Sequence, residues 1–150
     1  MENLLVSGCL LGKNIKYNGK NNYIPLIERI KEKYNIIVIC PEVMGGLPIP
    51  RDPSEIRNNI VINNKMIDVT NEYNIGAKKA LELALQYNCK KALLKEKSPS
   101  CGVNYIYDGT FTKKLINGMG ITTRLLLSNG IEVYSEDKIE LLLNDKEDMN

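Results

Sequence analysis

The sequence predicts an α/β fold: a single domain on a mostly parallel sheet, with helices on both faces and a small β-hairpin. Three observations carry this. Short apolar runs of strand type alternate with amphipathic runs of helical period, the order that sets strands side by side in parallel through right-handed crossovers. The run NIIVIC (35–40) is apolar and β-branched almost throughout, the composition of a strand covered on both faces. The length, 150 residues, is that of one domain with one core.

The elements follow in order. LLVS (4–7) is a short first strand. YIPLIERIKEKY (23–34) reads as a helix with Ile24, Ile27, Ile30 and Tyr34 on one stripe. Pro25 falls in its first turn, where a missing N–H is tolerated. NIIVIC is the second strand. VINNKMIDVT (61–70) reads as a hairpin turning near Asn63-Asn64. Residues 71–88 form a helix with Ala77, Ala80, Ala84 and Tyr87 on one side and Thr70 or Asn71 as N-cap. KALLKE (91–96) is the third strand. GITTRLLLSNG (120–130) is a helix that stops at Gly130. IEVYS (131–135) is the fourth strand, and DKIELLLND closes the domain as a helix. The domain is thus expected over 1–143, with NDKEDMN (144–150) as a polar tail that frays. The architecture is Rossmann-like in class.

Composition removes several functions. Hydrophobic residues make up 43% and charged residues 25%, with a net charge of +2 and the lysines spread along the chain. That balance argues against strong binding to nucleic acid or membranes. The opening MENLLVSGCLLG lacks a basic flank and reads as a strand, not a signal peptide, so a cytoplasmic location is expected. The chain has no histidine and no tryptophan, and Phe111 is its only phenylalanine. Triads and metal sites built on His are excluded, and any acid or base is Glu, Asp, Lys, Tyr or Cys.

Four cysteines remain, Cys9, Cys40, Cys89 and Cys101, and none forms a CxxC pair. In open α/β sheets, ligands bind beyond the carboxyl ends of the strands. Cys9 follows the first strand, Cys40 ends the second, and Cys101 lies in SPSCG after the third, so all three emerge on one edge. Cys89 precedes the third strand on the opposite edge and reads as a small core residue. Glycine and proline surround each of the three: SGCLLGK, CPEVMGGLPIPRDP and SPSCG. Three thiolates suit an iron–sulfur cluster, zinc or Cu(I). A four-iron cluster held by three thiolates keeps one iron open as a Lewis acid. Glu42, two residues after Cys40, is then a candidate acid/base, with a solvated or helix-capping carboxylate as the alternative. Ser98 and Ser100 bring hydroxyls to the same edge.

Other features read more simply. Arg51 and Glu55 in PRDPSEI are expected to form a local ion pair, with substrate contact by Arg51 as the weaker alternative. Tyr105, Tyr107 and Asp108 in NYIYDGTF read as turn and core residues. Gly118-Met119-Gly120 precedes a helix and is open between an anion site and a plain loop. SGCLLGKN is not a phosphate-binding P-loop: three residues, not four, separate Gly8 from Gly12, and Asn14 follows Lys13.

CLLGKNIKYNG, CPEVMGGLPIPRDPSEI, LKEKSPSCG, IYDGTF and GMGITTRLLLSNGIEVYSE resemble, in order and spacing, the thiouracil desulfidase family, from about residue 4 to about 136. The resemblance implies a [4Fe-4S] cluster on Cys9, Cys40 and Cys101, with one iron not bound by protein. It implies a thio-nucleobase substrate such as 2-thiouracil, whose sulfur binds that iron and whose carbon takes oxygen from water without redox change. It carries the catalytic carboxylate and serine onto Glu42 and Ser100, with Ser98 and Arg51 as further substrate candidates. Lys16 and Asn18 depart from the Arg and Asp expected in KYNG, which bears on loop structure or substrate entry. Sulfide transfer to an acceptor, a structural metal site and electron transfer stand as alternatives.

Overall fold

The structure, a computed structural model, describes residues 1–144. The expected tail lies outside the described residues from 145 onward, as does the last residue of the expected closing helix. Four strands form the central sheet: β1 (Glu2–Ser7), β2 (Tyr34–Ile39), β5 (Lys91–Leu94) and β8 (Glu132–Ser135). Their order is β2-β1-β5-β8, with every neighbouring pair parallel.

Alternation along β1 and β5 divides the core. Leu4, Val6 and Leu93 point to one face, where they meet Ile27 and Ile30 of α1 (Ile27–Lys33) and Ile139 and Leu142 of α5 (Ile139–Leu143). Leu5, Ala92 and Leu94 point to the other face. There they meet Ala80 and Ala84 of α3 (Thr70–Gln86) and Leu126 of α4 (Ile121–Ser128). All of these side chains are buried, and this period-two division is the reason helices cover both faces. Among the described residues no helix is long and apolar enough to cross a membrane.

Several boundaries differ from the expectation. α1 begins at Ile27, with Tyr23 to Leu26 in loop and turns, and Tyr34 opens β2 instead of closing the helix. β2 lies at the edge of the sheet and is not covered on both faces: Asn35 is exposed and Val38 is 38% exposed. Tyr87 lies beyond α3 and is exposed, not on its buried side. Thr70 is the first residue of α3, and its Oγ1 accepts from the Val61 N–H.

The expected hairpin over 61–70 forms, closed by the antiparallel Ile62–Asp68 bridge and by the Val69 N–H donating to the Val61 carbonyl, and an unexpected hairpin precedes it. β3 (Ser54–Arg57) pairs antiparallel with β4 (Ile60–Asn63). Its turn is Asn58-Asn59, both residues with positive φ (51° and 66°), the conformation a two-residue hairpin prefers. Asn63 makes a second reversal, accepting from the N–H groups of Lys65 and Ile67 through Oδ1. A further hairpin, β6 (Tyr105–Tyr107) with β7 (Leu115–Asn117), was not anticipated.

A short helix, α2 (Pro41–Met44), follows β2 and starts directly after Cys40. It sits against α3 with backbone touching backbone. A Cβ on Gly76 would overlap the Pro41 carbonyl, and one on Gly45 would overlap the Glu72 carbonyl. Within a helix, Gly→Ala ordinarily stabilises by up to about 1 kcal/mol. Here Gly76→Ala should reverse that sign and destabilise by about 1–3 kcal/mol, the range for overpacking. Urea unfolding of the two chains measures it, and a gain in stability would contradict the close packing.

Candidate active site

The loops after β1, β2 and β5 open into one cavity of about 530 Å³. Cys9, Cys40 and Cys101 all line it, with Glu42, Arg51, Ser98, Tyr73, Lys95 and Phe111 among the remaining walls. Cys89 lies elsewhere, 4% exposed in the core beneath α3 and α4, as expected.

Each thiol is placed by a separate device. Cys9 belongs to a single 3-10 turn, Gly8–Leu11, that begins where β1 stops. Its carbonyl accepts from the N–H groups of Gly12 and Asn22, and Asn22 Nδ2 donates to its sulfur at 3.4 Å. Cys40 is the residue before α2, and the N–H groups of Val43 and Glu42 face its sulfur. Cys101 sits in the turn 98–101, closed by the Gly102 N–H donating to the Ser98 carbonyl at 2.8 Å.

That turn is docked on the start of α4. The N–H groups of Gly120, Ile121 and Thr122 donate to the carbonyls of Gly102, Pro99 and Ser100 at 2.8–2.9 Å. Thr123 Oγ1 donates to the Cys101 carbonyl at 3.0 Å. These carbonyls take the donors a helix start leaves free, so the open choice at Gly118-Met119-Gly120 resolves to docking of the loop. A Cβ on Gly120 would overlap the Ser100 carbonyl, which is why glycine precedes the helix.

Behind the loop stands Glu96, 2% exposed. Its Oε1 accepts from the N–H groups of Val103 (2.7 Å), Asn104 (2.9 Å) and Tyr105 (3.2 Å), and Oε2 from Asn104 Nδ2 (3.0 Å). Burial pushes this carboxyl up, but the donors outweigh it and hold the group below its ordinary value. The Glu96 N–H donates to Glu136, which also pairs with Lys95 at 2.9 Å. Sequence reasoning passed over Glu96, since a Glu closing an apolar run reads as a solvated strand end.

Glu42 and Arg51 form a largely buried pair, Nε to Oε1 at 2.9 Å, with side chains 16% and 6% exposed. Arg51 also donates to the carbonyls of Pro48 and Ile15. The expected Arg51–Glu55 pair is therefore replaced: Glu55 accepts from the backbone of Gly109 and Phe111. The guanidinium is held instead by the Glu42 carboxylate and by two carbonyls, Pro48 3 residues away and Ile15 36 residues away in sequence.

The two serines differ. Ser98 Oγ donates to Glu42 Oε2 at 3.2 Å and accepts from the N–H groups of Ser100 and Cys101 at 3.0 and 3.1 Å. One hydroxyl proton and two lone pairs are thereby all used. Ser100 Oγ, 1% exposed, pairs with Thr122 Oγ1 at 2.8 Å and lies off the cavity wall. Lys16 does line the cavity, its ammonium 6.0 Å from the Tyr17 ring centre.

Burial raises all three cavity thiols above the ordinary value, opposed at Cys9 by the Asn22 hydrogen bond and at Cys40 by the Val43 N–H. A metal displaces such protons when it binds. Among the described residues no three Cys, Asp or Glu side chains meet closely enough for one metal ion. The thiols surround a volume, and soft donors around a volume fit an iron–sulfur cluster.

An open α/β domain whose strand ends carry three thiols and a paired carboxylate has the donor set of a soft-metal or cluster site. The chain belongs to the 2-thiouracil desulfurase family, whose model matches residues 4–138. It is similar to the uncharacterized protein YbbK of Bacillus subtilis (strain 168), 39% identical over 93% of this chain and 99% of that one. It is also similar to the solved [4Fe-4S]-dependent thiouracil desulfidase TudS, 42% identical over 95% of both chains with a TM-score of 0.91.

The Glu96 arrangement makes a pH prediction. Its folded pKa lies below the unfolded one, so the stabilisation is complete above roughly 4.5 and is lost as pH falls through the folded value. In urea unfolding, Glu96→Gln should be less stable than the parent at neutral pH, with the gap closing below about pH 4. A gap independent of pH would show that the charge of Glu96 does not hold the loop.

Proposed function

We propose that this chain removes the sulfur of a thiolated nucleobase, 2-thiouracil or a close relative, by [4Fe-4S]-dependent, non-redox desulfuration to the oxo base and sulfide. The observation that carries this is the meeting of Cys9, Cys40, Cys101 and Glu42 on one cavity. The three thiolates would hold the cluster and leave one iron without a protein ligand. When bound, that iron supplies a soft Lewis acid for the thiocarbonyl sulfur. The balance is simple: the carbon loses sulfur and gains the oxygen of water, both water protons leave with the sulfide, and no electron is transferred.

The chain's own part is to hold and move protons. Glu42 is the base. Arg51 balances its charge and fixes Oε1, Ser98 fixes Oε2, and the carboxylate retains lone pairs for a water in the cavity. Ser98 orients Glu42 against the Cys101 loop in place of contacting substrate. Ser100 anchors that loop to α4 through Thr122, and its Oγ also accepts from the Cys101 thiol at 3.8 Å. Arg51 serves Glu42, with three of its five N–H donors taken by Glu42, Pro48 and Ile15.

Anaerobically purified protein should carry about four iron and four acid-labile sulfides per chain, and each single Cys→Ala variant at 9, 40 and 101 should lose them. Glu42→Gln should keep iron and sulfide and lose at least about 100-fold in kcat, the weight of a general base. Ser98→Ala should lower kcat more than Ser100→Ala. An unchanged rate in Glu42→Gln ends the assignment of the base, and a parent without iron after anaerobic reconstitution ends the desulfidase reading.

A further inference from the structure

One wall of the cavity has no part in the chemistry above. It is the loop between β6 and β7, which brings Phe111 to the cavity. Phe111 adopts a φ of +59°, a left-handed conformation that a bulky side chain rarely takes and keeps only where its surroundings over-determine it. The surroundings do so. Glu55 Oε1, on a side chain 9% exposed, accepts from the N–H groups of Gly109 (2.9 Å) and Phe111 (3.1 Å). Arg57 donates to the Gly109 carbonyl through both Nε and Nη2. Asp108 Oδ1 accepts from the N–H and hydroxyl of Thr110 at 3.0 and 2.6 Å.

Core packing does not explain this bracing. The ring is only half-buried and takes no place in the apolar clusters on either face of the sheet or under the first hairpin. It shares the cavity with the cationic side chains of Arg51, Lys95 and Lys97 and with Tyr17, Tyr73 and Tyr107. Of these aromatic residues Phe111 alone has no hydroxyl, and an apolar ring face carried on a braced backbone is suited to a planar π system, which it takes by stacking.

We propose that Phe111 is the stacking face for the substrate's heterocyclic ring and that Glu55 is the positioning residue holding it in place. The inference rests on the desulfidase reading and adds which residue recognises the ring. Stacking adds nearly equally to ground and transition state, so its loss falls on KM and not on kcat.

The experiment compares the holo parent with Phe111→Ala, Glu55→Leu and Glu55→Gln. Iron and sulfide content, 2-thiouracil kinetics and calorimetric titration with uracil, which has no sulfur to lose, are read for each. Phe111→Ala should raise KM about tenfold, within the range of one base–aromatic stack, with kcat within about twofold and cluster content unchanged. Glu55→Leu should follow it. Glu55→Gln, whose amide carbonyl can accept from both N–H groups, should recover most of the KM. An unchanged KM in Phe111→Ala, or a loss confined to kcat or cluster content, overturns the proposal. If the parent turns over no 2-thiouracil, the desulfidase reading fails and the titration decides the wall separately. Uracil binding lost in Phe111→Ala then upholds it, and equal or no binding in both chains overturns it.

Discussion

A carboxylate buried just past the end of a parallel strand is tolerable only if donors surround it. At Glu96 those donors are the backbone of residues 103–105, directly after the loop that carries Cys101. The rest of the cavity is built outward from this point. With 103–105 fixed, the turn 98–101 closes on itself and presents its carbonyls to the start of α4. With that turn fixed, Ser98 reaches across to Glu42 and joins the third strand end to the second. Lys95 and Glu136 tie the same region to the end of β8. The Cys101 turn is thus set by its own backbone bonds, by the Glu96 carboxylate behind it and by the start of α4.

The second support is steric. Gly45 and Gly76 let α2 lie with its backbone on α3, which fixes the direction in which Cys40 and Glu42 leave β2. Arg51 completes this corner from the loop ahead of β3. Its fork meets one carboxylate and two carbonyls, and removing a partner from so enclosed a pair strands the other charge. The carboxylate proposed as the base is also the one that Arg51 and Ser98 anchor, so its geometry is tied to that of the fold.

What could be read from sequence was set by local pattern and topology. β1, β2, β5 and β8 were legible because their apolar runs are separated by helical periods. The common edge of Cys9, Cys40 and Cys101 followed from parallel order alone. The reversal near Asn63-Asn64 was legible, while the equally good turn pair Asn58-Asn59 was passed over, since only pairing across the strands shows that both are used. β6 and β7 have three residues each, too few for a period to show. The Glu42–Arg51 pair, the donors around Glu96 and the clamp of Glu55 on 109–111 join residues far apart in sequence, and no spacing rule announces them. Ser98 and Ser100 differ by two positions and face different partners because a tight turn, not a strand, carries them.

The three thiols come from strand ends spread from the first tenth of the chain to past its middle. β1 must pair with β2 on one side and β5 on the other before Cys9, Cys40 and Cys101 share a space. Non-local parallel pairings of this kind close late, since each loop entropy is met before its contacts form. An inorganic group held there would enter a chain already folded, as cargo loaded into a finished frame and not as a nucleus around which the chain condenses. Because the unfolded chain offers no comparable arrangement, occupancy of the frame and stability of the sheet would rise and fall together.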